Sequence, residues 1–237
     1  MSPKTAMILS AGFGTRMQHL TRNRPKPLVK FYGKPLIDHV ISRLEETEVE
    51  NIVVNVHYKA GMLEAHLAER RSPRILISDE RQKLLDTGGG VAKALGLLGN
   101  EPFYVHNSDS VWIEGAGSSL KRLSDRWDPS TMDGLLLLAS TTTSLGYDGT
   151  GDFAMSPNGH LRRRREREIV PYIFAGVSIL DPQLFDGCSA DSFSLNEIFD
   201  KAIEAGRLVG LRHEGIWMHI GTPETLQEAE AFDLNVV

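Results

Sequence analysis

The chain has 237 residues, 41% of them hydrophobic, and carries a net charge of −5. That length supports one sizeable core and argues against two independent domains. The acidic balance argues against general nucleic-acid binding, which needs a basic face, yet it permits a small anionic substrate that needs only local positive charge.

At the N-terminus, MSPKTAMILSAGFG holds an apolar stretch too short for a signal peptide, interrupted at Gly12. Thr5 to Ser10 reads as a buried strand. Residues 11–33 are rich in Gly, Pro, Arg and Lys without a helical period, which reads as a long functional loop. Pro35 opens an amphipathic helix with Leu36, Val40, Ile41 and Leu44 on one face. Asn51 to Val56 is a second strand, and Leu63 and Leu67 belong to a second helix. Ile75 to Ile77 is a third strand, and Gly88 to Leu98 a helix with a glycine-rich start. Phe103 to Val105 is a fourth strand, running into His106-Asn107-Ser108-Asp109. This alternation predicts a mostly parallel sheet with helices on both faces.

Beyond about residue 134 the pattern changes. Leu135–Ala139, Phe153–Met155, Leu161–Arg165, Ile173–Leu180, Leu208–Arg212 and Trp217–Ile220 read as strands, with a turn at Pro157-Asn158-Gly159. Leu195 to Ala205 reads as a helix ended by Gly206. A last helix starts at Thr222-Pro223-Glu224, with Thr222 as N-cap. The longest apolar run, Leu135 to Ala139, is far below the ~20 residues of a membrane span. Cys188 is the lone cysteine, so no intramolecular disulfide forms and a cytoplasmic setting is expected. The expectation is one domain over 1–237, with a nucleotide-binding half at about 1–133 and a second half at about 134–237.

The segment after the first strand, Leu9 to Met17, combines glycines with cations. Glycines let backbone N–H groups approach phosphate oxygens. Met17 stands where a dinucleotide fingerprint needs its third glycine, and no Gly-Lys-Ser/Thr follows as in a Walker loop. A tight turn with two solvated cations is the alternative reading of these residues alone. Arg16 follows the glycines, however, and Lys26 is confined between Pro25 and Pro27. Fixed cations of this kind suit the charge that gathers when a triphosphate meets a second phosphate.

Ala6 to Met17, followed by Leu20-Thr21 and Arg24-Pro25-Lys26-Pro27-Leu28, resembles the N-terminal motif of the sugar-1-phosphate nucleotidyltransferases. The resemblance implies a Rossmann-like, GT-A-like α/β fold with a mixed, mostly parallel central sheet flanked by helices. It implies that Gly12, Gly14, Thr15 and Arg16 hold the phosphates of an NTP, and that Lys26 bridges the reacting phosphates. Asp86-Thr87-Gly88-Gly89-Gly90 stands where the family reads the nucleobase, which makes Thr87 and Gly88 nucleotide contacts. Together with Asn107-x-Asp109-x-x-Trp112 and Gly151-Asp152-Phe153, this version is similar to the bacterial N-acetylmuramate α-1-phosphate uridylyltransferases. That branch implies UTP and a muramate phosphate as substrates, in cell-wall sugar recycling. Asn107 and Asp152 would then touch the sugar. There is no Glu-Lys-Pro segment of the kind that glucose- and mannose-1-phosphate enzymes use.

Asp109 is the expected ligand of Mg²⁺, a hard ion that prefers oxygen. The family's second carboxylate should stand in Trp217-Met218-His219-Ile220-Gly221-Thr222, where this chain has His219. Imidazole binds Mg²⁺ poorly. His219 therefore reads as a weaker metal ligand, as a preference for a softer ion such as Mn²⁺ or Zn²⁺, or as the mark of an impaired enzyme. Alternatives kept open are a nucleotide-sugar-binding regulatory protein, a transferase for another sugar phosphate or phosphocholine, and a glycosyltransferase. The last needs an Asp-x-Asp metal site that Asp109-Ser110-Val111 does not provide. The expected state is a monomer or small homo-oligomer.

Arg162 to Arg167 is a basic run in an acidic chain. It reads as a solvated hairpin, in which alternation puts Arg163 and Arg165 on one face and Arg162 and Arg164 on the other. One face would meet the lactyl carboxylate of a muramate or an oligomer partner. His39, His57, His66 and His106 have no metal-like spacing and read as structural. Cys188 reads as inert, and Trp112 and Trp217 as packing residues beside the site.

Overall fold

A computed structural model describes residues 2–189 and 191–232. Short apolar runs alternate with helical segments through the first half, and the chain folds accordingly. Strands β1 (Thr5–Leu9), β4 (Asn51–Val56), β5 (Arg74–Asp79) and β6 (Phe103–Asn107) form the parallel part of a nine-stranded sheet. β1 lies between β4 and β6. β1 and β4 bury near-continuous Val, Ile, Leu and Met, and β6 buries Phe103, Tyr104 and Val105, as two-sided burial requires.

The second half extends the same sheet. β11 (Tyr172–Leu180) runs antiparallel to β6 and to β8 (Gly134–Ser140), and β12 (Leu208–Arg212) joins β8 in parallel. β9 (Phe153–Met155) and β10 (Leu161–Arg163) form a hairpin whose turn holds Gly159 at φ 90°. β11 shifts register between Phe174 and Ser178, with Gly176 at φ 84°. That bulge lets one strand pair with β9 at its start and with β6 at its end.

Helices cover both faces. α1 (Leu36–Glu45), α2 (Ala60–Leu67) and α4 (Ser119–Arg126) pack on one core, through Ile37, Val40, Leu63, Leu120 and Leu123. α3 (Asp86–Leu98) and α5 (Leu195–Glu204) pack on the other, through Val91, Ala94, Ile198 and Phe199. This is the α/β layering expected. A third cluster, including Met17, Val29, Met218 and Leu226, anchors the 11–33 segment. It lies under α6 (Pro223–Ala231) and the ribbon of β7 (Ser110–Ile113) with β13 (Ile216–His219). No described helix is long and apolar enough to cross a membrane.

The differences from expectation have local causes. Residues 11–33 are not all loop: 3-10 turns span Thr15–Thr21 and Lys26–Leu28, and β2 (Lys30–Phe31) meets β3 (Lys34–Pro35). Pro35 ends β3 and precedes α1 rather than occupying its first turn. α4 escaped the sequence reading because its apolar stripe is only Leu120 and Leu123. β7 also went unread, being short and next to the Asp109 turn. Thr222 does cap α6, accepting a bond from the Thr225 N–H at 3.3 Å, with Pro223 at the first position.

Candidate active site

β1 and β6 are parallel neighbours, with Leu9 opposite Asn107, so the segments that follow both strands leave the same end of the sheet. The Ser108 N–H donates to the Leu9 carbonyl at 3.1 Å and clamps the two exits together. Open α/β sheets bind ligands at this end. A cavity of about 590 Å³ lies there, lined by Gly12, Gly14, Thr15, Arg16 and Lys26 from the first exit and by Asn107 and Asp109 from the second. Thr87, at the start of α3, closes a third side. Eight of the residues expected at a nucleotide site thus converge from three separate parts of the chain.

The glycines and the lysine are one packing unit. Gly14 sits in the left-handed region at φ 64°, where an L side chain is strained. A Cβ there would also stand 2.9 Å from the Lys26 Cβ and 3.1 Å from the Thr21 Cγ2. The Thr21 hydroxyl and the Met17 N–H both donate to the Gly14 carbonyl, at 3.0 and 2.9 Å. Gly12, by contrast, has open space around it, so the loop backbone stays uncovered towards the cavity. Lys26 is held by the 3-10 turn after Pro25, and its ammonium donates to Asp109 Oδ2. Arg16 has no acidic partner among the described residues and faces the same cavity.

His219 stands next to this group. The β7–β13 register places it opposite Ser110, the neighbour of Asp109. Burial lowers its pKa below the ordinary 6.5, and the positive charges of Arg16 and Lys26 lower it further against the pull of Asp109. The imidazole is therefore neutral at neutral pH and offers a free nitrogen lone pair rather than a charge. Among the described residues no cluster of three or more His, Cys, Asp or Glu side chains has metal-binding form. Asp109 and a neutral His219 fit a divalent ion that arrives on a nucleotide and keeps phosphate and water oxygens as its other ligands. They do not fit an ion caged by protein alone.

Two expected contacts lie elsewhere. The Gly88 N–H donates to the Phe193 carbonyl at 2.9 Å, and a Cβ at Gly88 would meet the Phe193 ring at 2.3 Å. Gly88 thus serves close helix packing, not the cavity. The Asp152 carboxylate accepts the Phe174 N–H at 2.9 Å and pins the start of the β11 bulge, so it holds backbone. Thr87 does line the cavity, but its hydroxyl accepts the Leu195 N–H at 2.8 Å and so also caps α5.

The four histidines read as structural have backbone or carboxylate partners. His39 bonds the Phe31 carbonyl at 2.9 Å, His57 the Glu80 carbonyl at 2.7 Å, and His66 Asp38 at 2.9 Å. His106 Nδ1 lies 2.8 Å from the Asn107 carbonyl and its ring stacks on Trp112. Cys188 has the Lys201 ammonium 3.3 Å from its sulfur, a neighbour that sequence spacing did not reveal.

Other cavity residues went unread. Asn55 Oδ1 accepts the Ser10 N–H at 2.7 Å, and its amide donates to Glu80 at 2.7 Å; Glu80 is fully buried and also accepts the Leu85 N–H at 3.1 Å. This network ties the first exit to the segment before Thr87. A polar Asn inside the apolar run NIVVNV was the available signal. Gly176 was missed too: a Cβ there would overlap the Ser110 hydroxyl at 1.8 Å and approach the Asn107 amide at 3.1 Å.

The family model described as nucleotidyl transferase matches residues 5–144. The chain is 47% identical to N-acetylmuramate alpha-1-phosphate uridylyltransferase of Caulobacter vibrioides, over 97% of each chain. It is 33% identical to the protein of the same name from Neisseria meningitidis, over 95% of this chain and 96% of that one. A putative glucose-1-phosphate thymidylyltransferase from Bacillus anthracis has a similar fold, with a TM-score of 0.79 at 17% identity, covering 96% of this chain and 94% of that one.

Proposed function

The chain belongs to the nucleotidyl transferase family as a sugar-1-phosphate nucleotidyltransferase, and from that premise we propose that it joins UTP to N-acetylmuramate α-1-phosphate, giving UDP-N-acetylmuramate and pyrophosphate. Two relatives that carry that activity in their names, and that match this chain from end to end, support the choice of substrates. The reading of an impaired regulatory protein gains nothing from these relatives. The observation that carries the mechanism is the meeting of Arg16, Lys26 and Asp109 with the open glycine backbone around one cavity.

The chemistry is a single displacement. An oxygen of the sugar phosphate attacks the α-phosphorus of UTP. The bond from that phosphorus to the β-phosphate bridge oxygen breaks, and pyrophosphate leaves with the electron pair. No covalent enzyme intermediate is needed, so the protein's task is positioning and charge stabilisation. Amides of the Gly12–Arg16 segment would cradle the triphosphate. Lys26, fixed by its prolines and by Asp109, would sit against the charge that grows on the phosphoryl group. Arg16 would steady the pyrophosphate.

The family is generally divalent-metal dependent. Asp109 and His219 are proposed as the protein's donors to such an ion, Mg²⁺ or Mn²⁺, which when bound neutralises phosphate charge. Asn107 lies on the strand end between this group and the Gly176 bulge, which suits it to the sugar or ribose.

The test is pyrophosphate release from UTP with a panel of sugar 1-phosphates, under Mg²⁺ and Mn²⁺, with the product weighed by mass spectrometry. Turnover highest with the muramate phosphate, giving a mass equal to UDP-N-acetylmuramate, is the expected result. Turnover confined to another sugar or to phosphocholine would overturn the substrate assignment. Nucleotide binding without turnover on any member would return the impaired reading.

A further inference from the structure

The arginine run at residues 162–165 is sorted by the fold. Arg162 makes paired contacts with Glu168, the longer at 2.8 Å. Arg163 bonds Asp200 at 2.6 Å and lies 4.8 Å over the Phe153 ring. Arg164 and Arg165 are exposed, and neither guanidinium meets an acidic side chain among the described residues.

Strand alternation separates them further. Arg163 shares its face with Leu161 and Phe153, turned to α5. Arg164 continues the opposite face, where Tyr147 packs on the core that contains Trp217. A run of contacts leads there from the phosphate cluster. His219 is the register partner of Ser110, next to Asp109. The Tyr147 ring stands edge-on to His219 at 6.4 Å. The Tyr147 hydroxyl accepts the Gly151 N–H at 3.0 Å, and the next residue, Asp152, accepts the Arg164 N–H on its carbonyl at 3.0 Å. Burial pushes the Tyr147 phenol up while the Arg164 charge pulls it the other way, in keeping with a guanidinium near that ring.

A muramate differs from its parent N-acetylhexosamine by a lactyl ether that ends in a carboxylate. This anion lies on the sugar, away from the phosphate, and Arg16 and Lys26 are at the phosphate end. A planar guanidinium can take a carboxylate through two parallel hydrogen bonds. We propose that Arg164 binds the lactyl carboxylate and thereby sets the preference of this enzyme for carboxylate-bearing sugar phosphates. The inference rests on the muramate reading given above.

The experiment uses the full chain with UTP and compares N-acetylmuramate 1-phosphate with N-acetylglucosamine 1-phosphate, by kcat/KM where a compound turns over and by its inhibition constant where it does not. Arg164→Ala should weaken the muramate compound by about ten- to a hundred-fold, the scale of one charge-assisted contact. The loss should appear in KM, with the glucosamine compound unchanged. Arg164→Lys should restore part of it, and Arg165→Ala should leave both compounds unchanged. An equal loss on both compounds, or no loss on either, overturns the role of Arg164 while the muramate reading stands. A wild-type enzyme that does not favour the muramate compound overturns the reading and this inference together.

Discussion

The two ends of the site are built from different materials. The end proposed for phosphates is mostly backbone and short-range constraint. Gly14 has a left-handed φ and no room for a Cβ, Lys26 is fixed between prolines, and Asp109 leaves the sheet beside β1. The end proposed for the sugar is assembled from parts far apart in sequence: the side chains of Tyr147, Arg164 and His219 and the backbone at Gly176, brought together by the β11 bulge and the β9–β10 hairpin. The first kind of construction tolerates almost no substitution. The second changes residue by residue, which is how one fold takes different sugars.

Substitutions sharpen the contrast. Lys26→Ala should cost the most, about a hundred- to a thousand-fold in kcat, the scale of removing one group that stabilises transition-state charge. Its melting temperature should change little, since Lys26 is only partly buried. A loss confined to KM would instead make Lys26 a binding group only. Gly14→Ala should fall next, with ~1–3 kcal/mol of backbone strain and a further loss of rate as the Lys26 stem is displaced. Thermal unfolding and pyrophosphate release measured on one preparation check both parts. Wild-type stability with full activity would show that the loop is not held as described.

His219→Asp probes the border between the two ends. It should tighten activation by Mg²⁺ by about tenfold, the scale of one added charge contact discounted for solvent screening. It should also narrow any preference for Mn²⁺, read from titrations of activity against each ion. Because the His219 pKa is lowered from 6.5, wild-type activity should persist below pH 6.5 and fall only as the imidazole takes its proton. An unchanged metal response would remove His219 from the donor set.

Asp152→Ala should show the smallest effect. About 1 kcal/mol of stability should go with the lost bond to the Phe174 N–H, while KM for the sugar phosphate stays in place. A large rise in that KM would make Asp152 a sugar contact after all.

Acid should test both halves at once. Burial pushes His106 down to about 3 and His213 down to about 4. Both values lie below the unfolded 6.5, so between these limits the unfolded chain binds more protons and stability rises with pH. The contribution is complete above pH 6.5 and is lost as pH falls through about 4 and then 3. One cooperative unfolding transition at each pH is expected, because β6 and β11 share a ladder. Two separable transitions would divide the chain near residue 134.

Much of this was legible in the sequence, for physical reasons. β4, β9 and β12 were read to the residue because apolar or alternating runs end at turn-forming residues. The convergence of the end proposed for phosphates on one cavity was legible because glycine at a positive φ, and lysine between prolines, leave compact marks. The packing of Gly88 and the backbone bond of Asp152 were not legible, because a glycine-rich helix start and a turn aspartate look alike whether they serve a ligand or the packing. Asn55 left a mark as the polar residue inside NIVVNV, but its bond to Glu80 and the bulge at Gly176 were out of reach, since each depends on partners far away along the chain.

The central claim is tested most directly by a crystal structure with a non-hydrolysable UTP analogue and a divalent ion. The triphosphate should lie along the amides of Gly12 to Arg16, with the Lys26 ammonium at the α-phosphate and Asp109 on the ion. A nucleotide bound with its phosphates away from that segment would contradict it.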